Sequence, residues 1–120
     1  VQHREWLLRL EDMLKAMQRI NRFIRTLTFQ EFCDNEMAVD AVIRNVELIG
    51  EAARFIPTDF ENQHPEIPWA SMRGMRNIMI HRYFDTDLGI LWNTVSSDVP
   101  PLIPIVERLL AAERGNEAPL

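Results

Sequence analysis

The sequence has little of what commits a chain to chemistry by motif alone. One cysteine, Cys33, occurs in 120 residues. It cannot form an internal disulfide, which fits a reducing cytoplasm. No basic residue adjoins it in sequence, so it lacks the neighbour that activates a nucleophilic thiol. No apolar run approaches the ~18 residues that a membrane span needs. Val1 to Leu10 alternates charged and apolar side chains, so no secretory leader and no membrane attachment are expected. His3, His64 and His81 lie far apart, and none stands at a metal-site spacing from another His or Cys. Glu47 and Glu51 form an i, i+4 carboxylate pair, but the Glu-x-x-His motifs of a di-metal bundle are missing. The pair reads as exposed charge or as a cap for a neighbouring loop. A glycine-rich phosphate loop and a serine elbow are also missing, as are an alternating strand pattern and an internal repeat.

Net positive charge is missing too. The formal charge is −5 and the isoelectric point about 5.1. An acidic chain does not bind nucleic acid indiscriminately, because phosphate contacts need Lys or Arg. The distribution differs from the total. Arg4, Arg9, Lys15, Arg19, Arg22 and Arg25 fall in the first 25 residues, and Arg73, Arg76 and Arg82 fall close together later. Local basic patches on an acidic body and ordinary solvated helix faces both remain open.

What is present is helical period. Trp6, Leu7, Leu10, Met13, Leu14, Met17, Ile20 and Ile24 recur at steps of three and four, which predicts a helix from about residue 3 to 27. Asp34 or Asn35 can cap a second helix, from about 36 to 56, with Pro57 ending it. Its apolar face carries Ala38, Ala41, Val42, Val46, Ile49, Ala52, Ala53 and Ile56. Gly50 inside it implies a closely packed neighbour. Residues 57–68 form a proline-rich connector with room for one short helical turn. A third helix starts near Pro68 or Trp69. Asp85, Thr86 or Asp87 can cap a fourth, from about 87 to 97, and Asp98 can cap a last one ending near Gly115. Pro100 and Pro101 lie in its first turn, and Pro104 is tolerable only near its start. The expectation is all-α: an antiparallel bundle of four main helices plus a short fifth. Residues 1–115 form one domain and 116–120 a flexible tail.

The third helix runs into an unusual stretch, "GMRNIMIHRYFDTD", Gly74 to Asp87. On an ideal helix Asn77 and His81 share a face, and Arg76 and Tyr83 share another. Arg76 and His81 point about 140° apart. They meet at one point if the helix bends, if the arginine wraps round, or if a second subunit supplies the missing half. Arg offers a fixed fork of donors suited to phosphate, and His exchanges protons near neutrality. Together they fit RNA cleavage without metal, in which the 2′-hydroxyl attacks phosphorus while His moves the proton and Arg stabilises the phosphorane oxygens. The same two residues could instead cap a helix end or pair with carboxylates.

Nearly the whole chain resembles one family. "AVIRNVELIGEAA", Ala41 to Ala53, is similar to the second helix of HEPN domains. "HPEIPWASMRGMRNIMIHRYFDTD", His64 to Asp87, is similar to their connector and motif helix. "LWNTVSSDVPPL", Leu91 to Leu102, is similar to their fourth helix and the turn after it. More narrowly, the chain resembles the HepT-like toxins of HEPN/MNT toxin–antitoxin pairs. The resemblance implies an HEPN-like helical fold and a homodimer with its motifs at the interface cleft. It implies a cytoplasmic, metal-independent endoribonuclease acting on RNA as a toxin, with no cofactor of its own. Arg76 and His81 carry over as the catalytic pair and Asn77 as a supporting residue. Tyr83 carries over as the tyrosine that an MNT-type nucleotidyltransferase antitoxin modifies with AMP. The alternative is a non-catalytic interaction module that binds such a partner, or nucleotides, through the same cleft.

Overall fold

The protein is described by a computed structural model covering residues 2–75 and 87–117. All regular elements among these residues are helices. Helix α1 spans Gln2–Ile24, α2 Phe29–Asp34, α3 Glu36–Ala53, α4 Thr58–Gln63 and α5 Trp69–Gly74. After the motif stretch, α6 spans Leu88–Asn93 and runs into a π-helical turn, Thr94–Asp98, and α7 spans Leu102–Glu117.

The two long apolar stripes do what their spacing predicts. Leu7, Leu10, Met13, Leu14, Met17, Ile20 and Ile24 of α1 are buried, as are Val42, Ile43, Val46, Ile49, Ala52 and Ala53 of α3. The two helices pack along each other, with α7 against α1 and α5 against α3. Gly50 is buried in α3. One continuous core results, joined by Leu102, Val106, Leu109 and Leu110 of α7.

The caps resolve as local chemistry dictates. Asn35 starts α3: its Oδ1 accepts from the Ala38 amide at 3.0 Å. Asp87 starts α6, accepting from the Gly89 and Ile90 amides at 2.9 and 3.1 Å. The end of α3 comes earlier than expected. Arg54, Phe55 and Ile56 each bond three residues back, because a residue preceding proline is disfavoured in the α conformation. Asp98 is not the cap of the last helix. It closes the π-helical turn, α7 begins at Leu102, and its carboxylate bonds no described amide. Helix α7 passes through Gly115 to Glu117, since that glycine keeps a negative φ.

Two short helices refine the expected connectors. In α2 the Thr28 hydroxyl accepts from the Glu31 amide at 3.1 Å while the Thr28 amide donates to Glu31 Oε1 at 2.8 Å. That reciprocal capping box fixes the helix, and α2 buries Phe32 against Trp92, with ring centroids 5.1 Å apart. In α4 Phe60 is buried. Its ring lies 4.6 Å from Trp6, 4.4 Å from His64 and 6.0 Å from Trp69. One aromatic side chain thus gathers α1, the connector and α5.

Candidate functional site

Arg76, Asn77, His81 and Tyr83, the residues singled out in the sequence, all lie outside the described residues. What the structure supplies is their mounting. Helix α5 leads into the stretch and Asp87 receives the chain on its far side. The mounting on the α5 side is well anchored. The Trp69 indole N–H donates to the His64 carbonyl at 2.9 Å. Trp69 and Met72 are buried, and so is Met75, the residue covalently joined to Arg76.

Arg73 pairs with Glu61 of α4 at 2.5 Å, and only 15% of the Glu61 side chain is exposed. This arginine is therefore a strut between α4 and α5 rather than a free cation for an anionic ligand. The basic residues of α1 divide in the same way. Lys15 reaches Glu11 at 3.0 Å, and Arg114 pairs with the same carboxylate. The Arg9 guanidinium sits 4.0 Å from the Phe55 ring centre. A shallow groove lined by Arg9, Lys15 and Arg19 also carries Asp12 and Glu51, so its charge is mixed. Two acidic residues of α3 are partnered as well, Glu47 with Arg44 and Glu51 with Arg54, each at 3.4 Å. Among the described residues no three His, Cys, Asp or Glu side chains gather as a metal site would require, and no helix is long and apolar enough to cross a membrane.

A cleft of about 570 Å³ opens beside the end of α5. Pro68, Met75, Pro101 and Leu102 give it apolar walls, and Ser71, Thr94, Ser97 and Asp98 give it a polar edge. The polar edge depends on the π-helical turn. The Thr94 hydroxyl donates to the Ile90 carbonyl at 2.9 Å and the Ser96 hydroxyl to the Trp92 carbonyl at 2.6 Å. At Ile90 the carbonyl accepts both the hydroxyl and the amide of Thr94, the back-bonding pattern that bends helices. Further along, the Val99 amide bonds five residues back, to Thr94, at 3.0 Å. Isolated π turns of this kind recur at functional sites. Sequence periodicity missed this edge, because it reads residues 87–97 as one ordinary helix. The run of Thr94, Ser96 and Ser97 before two prolines was the signal that could have found it.

A family model described as ribonuclease HepT-like matches residues 13–109. The chain belongs to the HepT-like ribonuclease family. A Thermococcus cleftensis protein named "Probable ribonuclease HepT" is 45% identical over 100 residues, 83% of this chain and 91% of that protein. A Methanocaldococcus jannaschii protein provisionally named an RNase is 43% identical over 98 residues, 82% and 90% of the two chains. A second protein of that organism, named in the same provisional way, is 37% identical over 108 residues, 90% and 89% of the two chains. No solved structure matches. In this HepT-like chain the matched segment takes in α5, the motif stretch and the whole rim of the cleft.

Proposed function

We propose that this chain is a metal-independent endoribonuclease and the toxin of a toxin–antitoxin pair. One observation carries the reading: the HepT-like match spans residues 13–109, and within it stands the sequence Arg76-x4-His81-x-Tyr83. Arg76 and His81 are the catalytic pair. The 2′-hydroxyl of a ribose attacks the adjacent phosphorus, a P–O bond forms, and the bond to the 5′-oxygen of the next nucleotide breaks. A histidine takes the 2′-proton and a second proton reaches the departing 5′-oxygen, leaving a 2′,3′-cyclic phosphate and a 5′-hydroxyl. Arg76 stabilises the phosphorane oxygens as charge builds on them, and Asn77 orients His81 or the phosphate. Each chain brings one histidine to the motif, so a cytoplasmic homodimer supplies both acid and base. Tyr83 is the site at which a nucleotidyltransferase antitoxin adds AMP. The added bulk and phosphate charge repel RNA.

The test is RNA cleavage by the purified chain in EDTA, with 2′,3′-cyclic phosphate ends on the products. His81→Ala and Arg76→Ala should each abolish it, and the wild-type chain should arrest growth where His81→Ala does not. Cleavage that survives His81→Ala, or that needs a divalent ion, overturns the mechanism. A complex with the nucleotidyltransferase and no cleavage at all would favour an interaction module instead.

A further inference from the structure

The cleft beside α5 has the composition of a site for a flat, neutral, donor-rich group. Its volume, about 570 Å³, falls within the range of small-ligand sites. Two proline rings and the buried side chains of Met75 and Leu102 offer apolar surface to a planar ring. The polar edge joins the hydroxyls of Ser71 and Ser97, which can donate or accept, to a carboxylate that only accepts. The Thr94 hydroxyl spends its proton on the Ile90 carbonyl. Asp98 is exposed and holds no hydrogen bond or ion pair with a described residue, so both carboxylate oxygens are open to a ligand. No described cation lines the cleft. Among the described residues a phosphate seated there would meet the Asp98 carboxylate with no cation beside it, which disfavours phosphate against a neutral group.

Gly74 adds an independent observation. It lies in α5 without a positive φ, so the backbone does not require glycine, and glycine costs a helix up to about 1 kcal/mol against alanine. A Cβ built on it meets no described atom within 4 Å. What the missing side chain does here is leave the wall of the cleft open.

We propose that this cleft is a nucleobase subsite, and that the base it takes is guanine. The proposal rests on the ribonuclease reading above and names the substrate feature that reading leaves open. An ionised carboxylate accepts only. Among the four RNA bases guanine alone presents two adjacent donors on one edge, N1–H and the 2-amino group, which match the two oxygens of Asp98. Adenine and cytosine offer one amino group beside an acceptor, and uracil one imide N–H between acceptors. A base read on that edge must be unpaired and turned out of its stack, so the substrate is single-stranded RNA or a loop. Met75 lines the cleft and directly precedes Arg76 in the chain, the residue to which the ribonuclease reading gives the phosphate.

The experiment is a titration of the purified full chain with GMP, IMP, AMP, CMP and UMP, followed by NMR shifts of the Gly74 and Ser97 amides. IMP differs from GMP only in lacking the 2-amino group. GMP should bind about tenfold more tightly than IMP and the other three. Asp98→Asn should erase that difference, because its amide offers a donor where guanine needs a second acceptor. Gly74→Leu should weaken GMP by filling the space, while His81→Ala should leave the preference intact. Equal affinity for GMP and IMP, or a preference that survives Asp98→Asn, overturns the proposal. Cleavage assays separate it from the activity itself. RNA cut without regard to guanine sinks the subsite and keeps the ribonuclease. GMP preference in a chain that cuts no RNA keeps the subsite and sinks the ribonuclease.

Discussion

Arg73 and Glu61 lock α5 to α4 through an ion pair at 2.5 Å that shields most of the carboxylate from water. The pair joins the helix that leads into the Arg76-x4-His81 stretch to the connector held by Phe60. If Arg76 and His81 act as proposed, that mounting matters, because misplacement by about 1 Å can cost on the order of a hundredfold in rate.

That pair should matter more than its exposed counterparts. Arg73→Ala is expected to cost about 1 kcal/mol in stability, because it leaves a mostly shielded carboxylate without its charge partner. Arg54→Ala, which breaks the open i, i+3 pair with Glu51, should cost no more than about 0.5 kcal/mol. Urea unfolding of both variants decides the ranking. Equal losses would mean that Arg73 is only a surface charge.

The capping box of α2 gives a second expectation. Thr28→Ala removes the hydroxyl that accepts from the Glu31 amide and should cost about 1 kcal/mol. Thr28→Ser keeps the bond and should be near neutral. Thermal midpoints of the two variants check this directly.

Asn45 gives an expectation of opposite sign. It is 6% exposed, and its Nδ2 donates to the Ala41 carbonyl at 2.8 Å. Its Oδ1 is buried without a hydrogen-bond partner among the described residues. An unmet buried acceptor costs about 1–3 kcal/mol, so Asn45→Leu, which keeps the branched shape with no polar atom, should be at least as stable as the wild type. A large loss of stability on that substitution would show that the oxygen is satisfied in solution, by water or by a neighbour.

Tyr83 can be tested apart from cleavage. Incubation with the MNT-type nucleotidyltransferase, ATP and Mg²⁺ should add AMP to the peptide that holds Tyr83, and Tyr83→Phe should block the addition. Intact-mass and peptide mass spectrometry read both outcomes. An unmodified Tyr83 peptide, or AMP found elsewhere on the chain, would count against the assignment.

The all-helical class, the apolar faces of α1 and α3, and the caps Asn35 and Asp87 were legible in the residues. These features are local. A helix face repeats every three or four positions, and a cap bonds two or three residues onward, so a short window holds both partners. The motif Arg76-x4-His81-x-Tyr83 was legible for the same reason, since family resemblance is itself a matter of residue order. The sequence also showed Arg73 as a basic residue beside the motif, but not that it is committed to Glu61, twelve positions away.

The tertiary structure decided what distant residues do together. Phe60 stands in a connector by composition, yet it becomes the contact point of Trp6, His64 and Trp69, because burying one aromatic ring there joins three segments at once. Asp98 looks like a helix cap in sequence. In the fold it closes a π-helical turn, and its carboxylate is left at the rim of a cleft. The cleft has walls from residues 68–75 and 94–102, which no local pattern connects. Residue order determined the helices and the family, through interactions spanning a few positions. Packing decided the struts, the aromatic hub and the cleft, because each depends on side chains that only the folded chain brings within reach.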